Sequence, residues 1–276
     1  MHQLVHVCLL FLLGSISSIQ SATAAATTER KSTEAKHIML VSLHLRGHIT
    51  PLARLARELV SRGYLVTFAT PDAGYVLAET VLHASGAQIE LLGTDPPGQV
   101  QRLNHLETAE ASRQTPPWGL ADLIDAVYLP YYLTMFDPVR ELAERLQPDF
   151  LVVDVATLAG IDVAQLLGIP YIVNSPTLLF HGDDAPYYLP ALGSGFSLEM
   201  SSWQRIFSFF LPRYIALSLS SVFTDLNLIR HDHGLKPHTT FNEILGQTIL
   251  LVNTAFGFEY PRPLSPFVRM TGPLMP

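Results

Sequence analysis

The chain has 276 residues, 48% hydrophobic and 15% charged, which is ample apolar content for a large core. A formal net charge of -7 and a pI near 5.8 exclude the basic footprint of a nucleic-acid partner. The only cysteine, Cys8, leaves the rest of the chain without a disulfide, a thiolate metal ligand or a cysteine nucleophile.

Residues 1–25 read as a secretory signal peptide. Leu9–Gly14 lies in an apolar core, and Ser21-Ala22-Thr23-Ala24 offers small residues for cleavage. The expectation is a chain delivered to the ER lumen or secreted. Residues 26–35 are a polar linker, and residues 36–276 form the folded domain. The apolar run His37–Leu43 has the length of a strand buried on both faces. Leu52, Leu55, Ala56, Leu59 and Val60 then recur at helical spacing, with Thr50 as the expected N-cap, Pro51 in the first helical position and Gly63 as the C′ residue. A second strand over Tyr64–Ala69 completes a βαβ unit, which the crossover rule makes right-handed and parallel.

Residues 71–84 read as helix, Gln88–Leu92 as a short strand and 99–117 as a surface loop with some helix. Trp118–Leu146 is helical with Pro130 and Pro138 as kinks or breaks, and it gathers Tyr128, Tyr131 and Tyr132. A second βαβ element follows: strand Asp149–Val153, helix Leu158–Leu167, Gly168, then strand Pro170–Val173. Phe180–Phe196 is an irregular loop, and Trp203–Arg230 an apolar helical stretch broken around Pro212. Phe241–Leu245 is a helical turn; Ile249–Asn253 and Val268–Thr271 are the last strands. The sum is an α/β fold with a Rossmann-like, mainly parallel sheet flanked by helices. No span reads as transmembrane; 203–223 is expected to pack under the loop before it or to touch a membrane surface.

His48, in the turn after the first strand, and Asp154, at the end of a later one, fall on the same rim of that sheet. In open parallel sheets ligands bind there. The turn reads Leu45-Arg46-Gly47-His48-Ile49-Thr50, so it lacks the three glycines of a dinucleotide site. There is no Gly-x-Ser-x-Gly and no P-loop lysine motif either. His231-Asp232-His233 with His238 follows a helix end, where cationic side chains suit the dipole; no metal is expected.

The ordered set Gly47-His48-Ile49-x-Pro51, Leu55-Ala56-x-x-Leu59 and Arg62-Gly63-x-x-Val66-Thr67 resembles the N-terminal half of the UDP-sugar-dependent glycosyltransferases of the two-lobed GT-B fold. Three later stretches agree: Gln147-Pro148-Asp149 through Asp154 to Pro170, Tyr188-Leu189-Pro190 to Trp203, and Leu251-Val252-Asn253-Thr254 with Glu259-Tyr260-Pro261-Arg262-Pro263. They are most similar to the signal-peptide-bearing, glucuronosyl- and glucosyltransferase-like branch. The resemblance implies inverting hexosyl transfer from a UDP-sugar to the hydroxyl of a small apolar acceptor. It makes His48 the general base and Asp154 its partner, because a neutral imidazole can take the acceptor proton and a carboxylate can stabilise the resulting imidazolium. The expected acceptor-binding set is Gly47, Thr157, Ser175, Thr177 and Tyr131. No cofactor is implied; the UDP-sugar is substrate. The family's C-terminal donor signature does not occur, and Trp118 and Trp203 lie elsewhere. The chain is therefore expected to be the acceptor lobe, inactive alone, completed by a donor-binding domain or chain. The alternative is a non-catalytic module that binds an apolar ligand or a partner.

Overall fold

A computed structural model describes residues 35–101, 119–177, 179, 186–191, 194–218 and 220–274, with backbone only at 119–128 and 221. The expected signal peptide, nearly all of the linker and most of the 99–117 loop lie outside the described residues. So do parts of the 180–196 loop and the side chain of Tyr128.

Seven strands form one sheet: β1 His37–Val41, β2 Leu65–Thr70, β3 Gln88–Leu91, β4 Phe150–Asp154, β5 Tyr171–Ser175, β6 Leu250–Val252 and β7 Val268–Met270. Their order is β3-β2-β1-β4-β5-β6-β7, and every pair is parallel. The chain builds outward from β1 to β3, returns, and builds the other way from β4. The reversal point lies between β1 and β4, where open α/β sheets place their ligand crevice. Among the described residues seven α-helices lie between and around the strands: α1 Arg46–Ser61, α2 Tyr75–Leu82, α3 Gly119–Leu146, α4 Leu158–Leu167, α5 Ser202–Ser218, α6 Ser220–Asp232 and α7 Phe241–Leu245.

Side chains alternate between the faces of each strand. On one face Met39, Val41, Leu151, Val153 and Val173 pack with Tyr132, Phe136 and Val139 of α3 and Ile161 and Ala164 of α4. This apolar layer holds the sheet to its helices; each fully buried aliphatic side chain contributes about 1.5–3 kcal/mol. Helix α4 lies so close to β4 that a Cβ on Gly160 would sit 2.8 Å from Val153 Cγ1. A buried ion pair ties α4 to α6: Arg230 donates to Asp162, whose other oxygen accepts the Tyr132 hydroxyl at 2.8 Å. Burial, and then the adjacent Asp162 carboxylate, hold the Tyr132 phenol far above its ordinary range. The other face, which carries Leu40, Phe68, Val152 and Asp154, is covered by α1 through Ile49, Leu52, Ala53, Ala56 and Leu59. Ala53, rather than Leu55 or Val60, completes the most buried stripe of that helix.

The sequence pattern misplaces the start of α1. The helix begins at Arg46, one turn before the expected cap, and the amide N–H groups of His48 and Ile49 both donate to Leu45 O at 2.9 Å. Thr50 therefore caps nothing, and Pro51 lies inside the helix. Its ring suits helical φ, and the only bond it forfeits would run to the carbonyl of Gly47, an exposed residue that water can serve. At the other end Gly63, at φ 87°, is the C′ residue as expected. Gly63 N–H donates to Val60 O and Tyr64 N–H to Leu59 O, a Schellman closure.

Two further boundaries shift. Strand β5 runs on through Asn174 and Ser175, so these two belong to the sheet rather than to the loop beyond it. Pro130, Pro138 and Pro212 lie within helices, and the 203–230 stretch divides into α5 and α6 beyond Ser218 rather than at Pro212.

Helix α5 buries Ser208, Leu211, Pro212 and Ile215 and exposes Trp203, Ile206, Phe210, Tyr214 and Leu217. Phe196, in the loop before it, packs edge-on against Trp203 and Phe207. Among the described residues no single helix is long and apolar enough to cross a membrane; α5 and α6 pass that test only together, across a 44° bend.

Candidate active site

The first turn of α1 and the last residue of β4 meet at the reversal point. His48 Nδ1 lies 2.8 Å from Asp154 Oδ1. The 106 residues between them in sequence are spanned by β1 and β4 being neighbours, with Val41 opposite Val153. Asp154 is fully buried, whereas the His48 side chain keeps 16% of its surface exposed. The second carboxylate oxygen, Oδ2, accepts the Ala156 amide at 3.0 Å and the Thr157 hydroxyl at 3.5 Å. The Thr157 amide closes the same turn onto the Asp154 carbonyl at 2.8 Å. Asp154 is thus held from three sides before it meets the imidazole.

A carboxylate only accepts hydrogen bonds, so the imidazole Nδ1 is the nitrogen that carries the proton. In the neutral ring Nε2 is then the basic nitrogen. The arrangement can take a proton from a hydroxyl at Nε2 and stabilise the positive ring through Asp154.

The other expected site residues divide. Gly47 occupies the exposed first turn of α1 beside His48, and a Cβ there would meet nothing within 4 Å. Thr157 is 2% exposed and turned onto Asp154. Ser175 and Thr177 reach each other at 3.2 Å on the rim after β5. Tyr131 stands apart: it is 1% exposed, and its hydroxyl donates to Asp95 Oδ1 at 3.0 Å and sits 3.0 Å from His44 Nδ1.

That last contact exposes a cluster that no sequence pattern marks. His44 Nδ1 is 3.1 Å from Asp95 Oδ1, and Asp95 Oδ2 accepts the Ala73 amide at 3.0 Å. Burial works to raise the Asp95 carboxyl, but His44, the Ala73 amide and the Tyr131 hydroxyl together pull it below its ordinary range. Burial and the neighbouring Asp95 charge push the Tyr131 phenol far up. Position alone could have suggested this cluster, since His44 and Asp95 both follow strands onto the rim that carries His48.

A second element that the sequence does not reveal lies in the Glu259-to-Pro263 stretch. Glu259 accepts the Leu179 amide, while Arg262 donates to the Leu179 carbonyl and to Glu259 Oε2, each at 2.9 Å. This clamp pins the chain leaving β5. The histidines near 231 scatter instead of converging. His231 and Asp232 are exposed, His233 stacks on Phe136 at 4.4 Å, and the His238 amide is bound to Asn227. Among the described residues no group of three acidic, histidine or cysteine side chains could hold a metal ion.

No family model matches the chain. It is 24% identical over 238 residues to UDP-glycosyltransferase stmC of Aspergillus ustus, covering 82% of this chain and 43% of that protein. It is 29% identical over 142 residues to UDP-glycosyltransferase 1 of Phaeomoniella chlamydospora, covering 50% and 29% respectively. Among solved structures, the calicheamicin glycosyltransferase CalG4 superposes with a TM-score of 0.55 at 16% identity, over 87% of this chain and 53% of that one. The glycotransferase of kitacinnamycin gives 0.50 at 21% identity, over 80% and 46%. The mainly parallel seven-stranded sheet flanked by helices is thus the fold of GT-B glycosyltransferases. The chain spans less than half the length of the curated relatives it matches.

Proposed function

We infer that this chain is the acceptor-binding half of an inverting UDP-glycosyltransferase, with His48 as general base and Asp154 as its orienting partner. The observation that carries the reading is the 2.8 Å contact between His48 Nδ1 and Asp154 Oδ1 at the reversal point of a parallel sheet. Similarity to UDP-glycosyltransferases from two fungi supports the reaction class.

In this mechanism a small apolar acceptor lies over the rim with its hydroxyl against His48 Nε2. As the oxygen attacks the anomeric carbon, its proton passes to Nε2 and the bond from that carbon to the UDP oxygen breaks. Attack opposite the leaving group inverts the centre. Asp154 stabilises the imidazolium, and its own position is fixed by Ala156 and Thr157. Gly47, Ser175 and Thr177 line the acceptor side. Donor binding falls to the part of the relatives' length that these 276 residues do not span. The apolar leader read in residues 1–25 directs it to the secretory pathway.

The test fuses the chain to the donor-binding half of the Aspergillus ustus relative and offers UDP-glucose and naphthol. Glucoside should form with the natural sequence and fall at least a hundredfold with His48→Ala, while naphthol still binds. Equal glucoside from both proteins would remove His48 from the chemistry.

A further inference from the structure

A row of amide side chains continues from Asp154 across the sheet. Asn174 on β5 is the register partner of Asp154 on β4. In-register residues of a parallel pair project to the same face, so Asn174 stands beside the carboxylate that holds His48. It is fully buried, and neither its Oδ1 nor its Nδ2 has a hydrogen-bond partner among the described residues. One strand further on, Leu251 of β6 is the register partner of Asn174. Asn253 lies two residues beyond it toward the rim, and its amide extends the ladder to Ser175 O at 2.9 Å. Its Oδ1 accepts the Thr271 hydroxyl at 3.2 Å; its Nδ2 has no partner among the described residues. Asn253 is 8% exposed.

Burying an amide unpaired is costly, and an apolar side chain of similar shape would avoid the penalty. Most buried polar side chains are satisfied, so each exception asks for a reason. Here two exceptions fall on the face that carries Asp154: Asn174 beside it on β5, and Asn253 one strand further over and two residues nearer the rim. An amide both donates and accepts, which suits a hydroxyl or carbonyl. Adjacent strands are about 4.8 Å apart and each residue advances about 3.3 Å along its strand, so Asn174 serves a substituent close to the reacting one and Asn253 one further along the rim.

We propose that Asn174 and Asn253 bind a second polar group of the acceptor, next to the hydroxyl that His48 deprotonates. The site then selects acceptors with paired oxygens over monohydric ones. The proposal rests on the acceptor-binding reading given above.

Titration of the purified chain with naphthalene, naphthol and naphthoresorcinol separates that reading from the role of the amides. The chain should bind naphthoresorcinol about tenfold more tightly than naphthol, the worth of one satisfied hydrogen bond. Asn174→Leu should bring that ratio to about one, and Asn253→Leu should lower it. Should Asn174→Leu fail to fold by circular dichroism, Asn174→Ala reads the same ratio. If naphthol binds more tightly than naphthalene but the second hydroxyl adds nothing, or adds as much in the variants, the amides have no such role while the acceptor reading stands. A ratio that survives Asn174→Leu with a raised melting temperature leads to the same conclusion, because the amide was then only a packing defect. Naphthol binding no more tightly than naphthalene would remove the acceptor reading, and this proposal with it.

Discussion

Two histidines four positions apart in the sequence each find a carboxylate, and they end in different chemistry. His48 rides on the first turn of α1, keeps part of its ring exposed, and bonds a carboxylate locked by two further donors. His44, two residues before that helix, is sealed against Asp95 and the Tyr131 hydroxyl, with its side chain 4% exposed. In the reading proposed above, the first pair exchanges a proton with an acceptor. The second can only hold parts of the protein together: the β1–α1 turn, the segment after β3, and α3. A His–Asp contact is therefore not a functional signature by itself. What separates the two is exposure: the His48 side chain keeps 16% of its surface accessible and the His44 side chain 4%.

The sharpest break of this comparison is a transfer assay on the completed fusion. His48→Ala should lower transfer by a factor on the order of 10²–10⁴, whereas His44→Ala should lower it only in proportion to lost folded protein. Comparable losses in kcat would mean that the buried histidine also handles the proton. Asp154→Asn comes next. An amide can offer its N–H to Nδ1 and leave the proton on Nε2, so kcat should drop by about 10² or more with naphthol affinity largely kept. Asp95→Asn should leave the rate per folded molecule alone.

Stability effects are smaller. Tyr131→Phe removes a buried donor from Asp95 and should destabilise the chain by about 1–3 kcal/mol in urea unfolding, without a change in naphthol binding. A weakened naphthol affinity in that variant would return Tyr131 to the acceptor-binding set. The smallest effect is in pH. The Asp95 carboxyl titrates lower in the folded chain than in the unfolded one. Its contribution is therefore present above the ordinary aspartate range, about 3.9, and is lost as pH falls through the lowered folded value. For Tyr131 the sign reverses: the folded phenol is raised, so its contribution holds below about 10 and is lost as pH climbs toward the folded value. Asp95→Asn should flatten the acid limb of stability against pH, and Tyr131→Phe the alkaline one.

The strands are visible in the sequence because a strand buried on both faces leaves an uninterrupted apolar run, as in Ile38–Val41 and Phe150–Val153. Helix α4 is visible because Gly168 closes it where the pattern stops. The start of α1 is hidden because Thr50-Pro51 imitates a cap, while the real N-cap residue, Leu45, uses only its backbone. The His48–Asp154 pair is legible through rim position and family resemblance together. The His44–Asp95–Tyr131 cluster is not. His44 comes from the β1–α1 turn, while Asp95 and Tyr131 come from the β3–β4 crossover, 36 residues apart with no spacing that links them. Tyr131 resembles a pocket residue because tyrosines cluster in α3; only coordinates reveal that its hydroxyl is already engaged. Asn174 reads as rim loop because the apolar run stops two residues before the strand does.

The contact between Gly160 and Val153 has a consequence for anyone who wishes to retune this protein. Val153 directly precedes Asp154 on β4, so a methyl group added at Gly160 would press on the strand that aims the carboxylate. A position buried in a helix, with no side chain of its own, thereby constrains where the rim carboxylate sits. Mutational libraries aimed at this rim should randomise the loops and leave residue 160 as glycine.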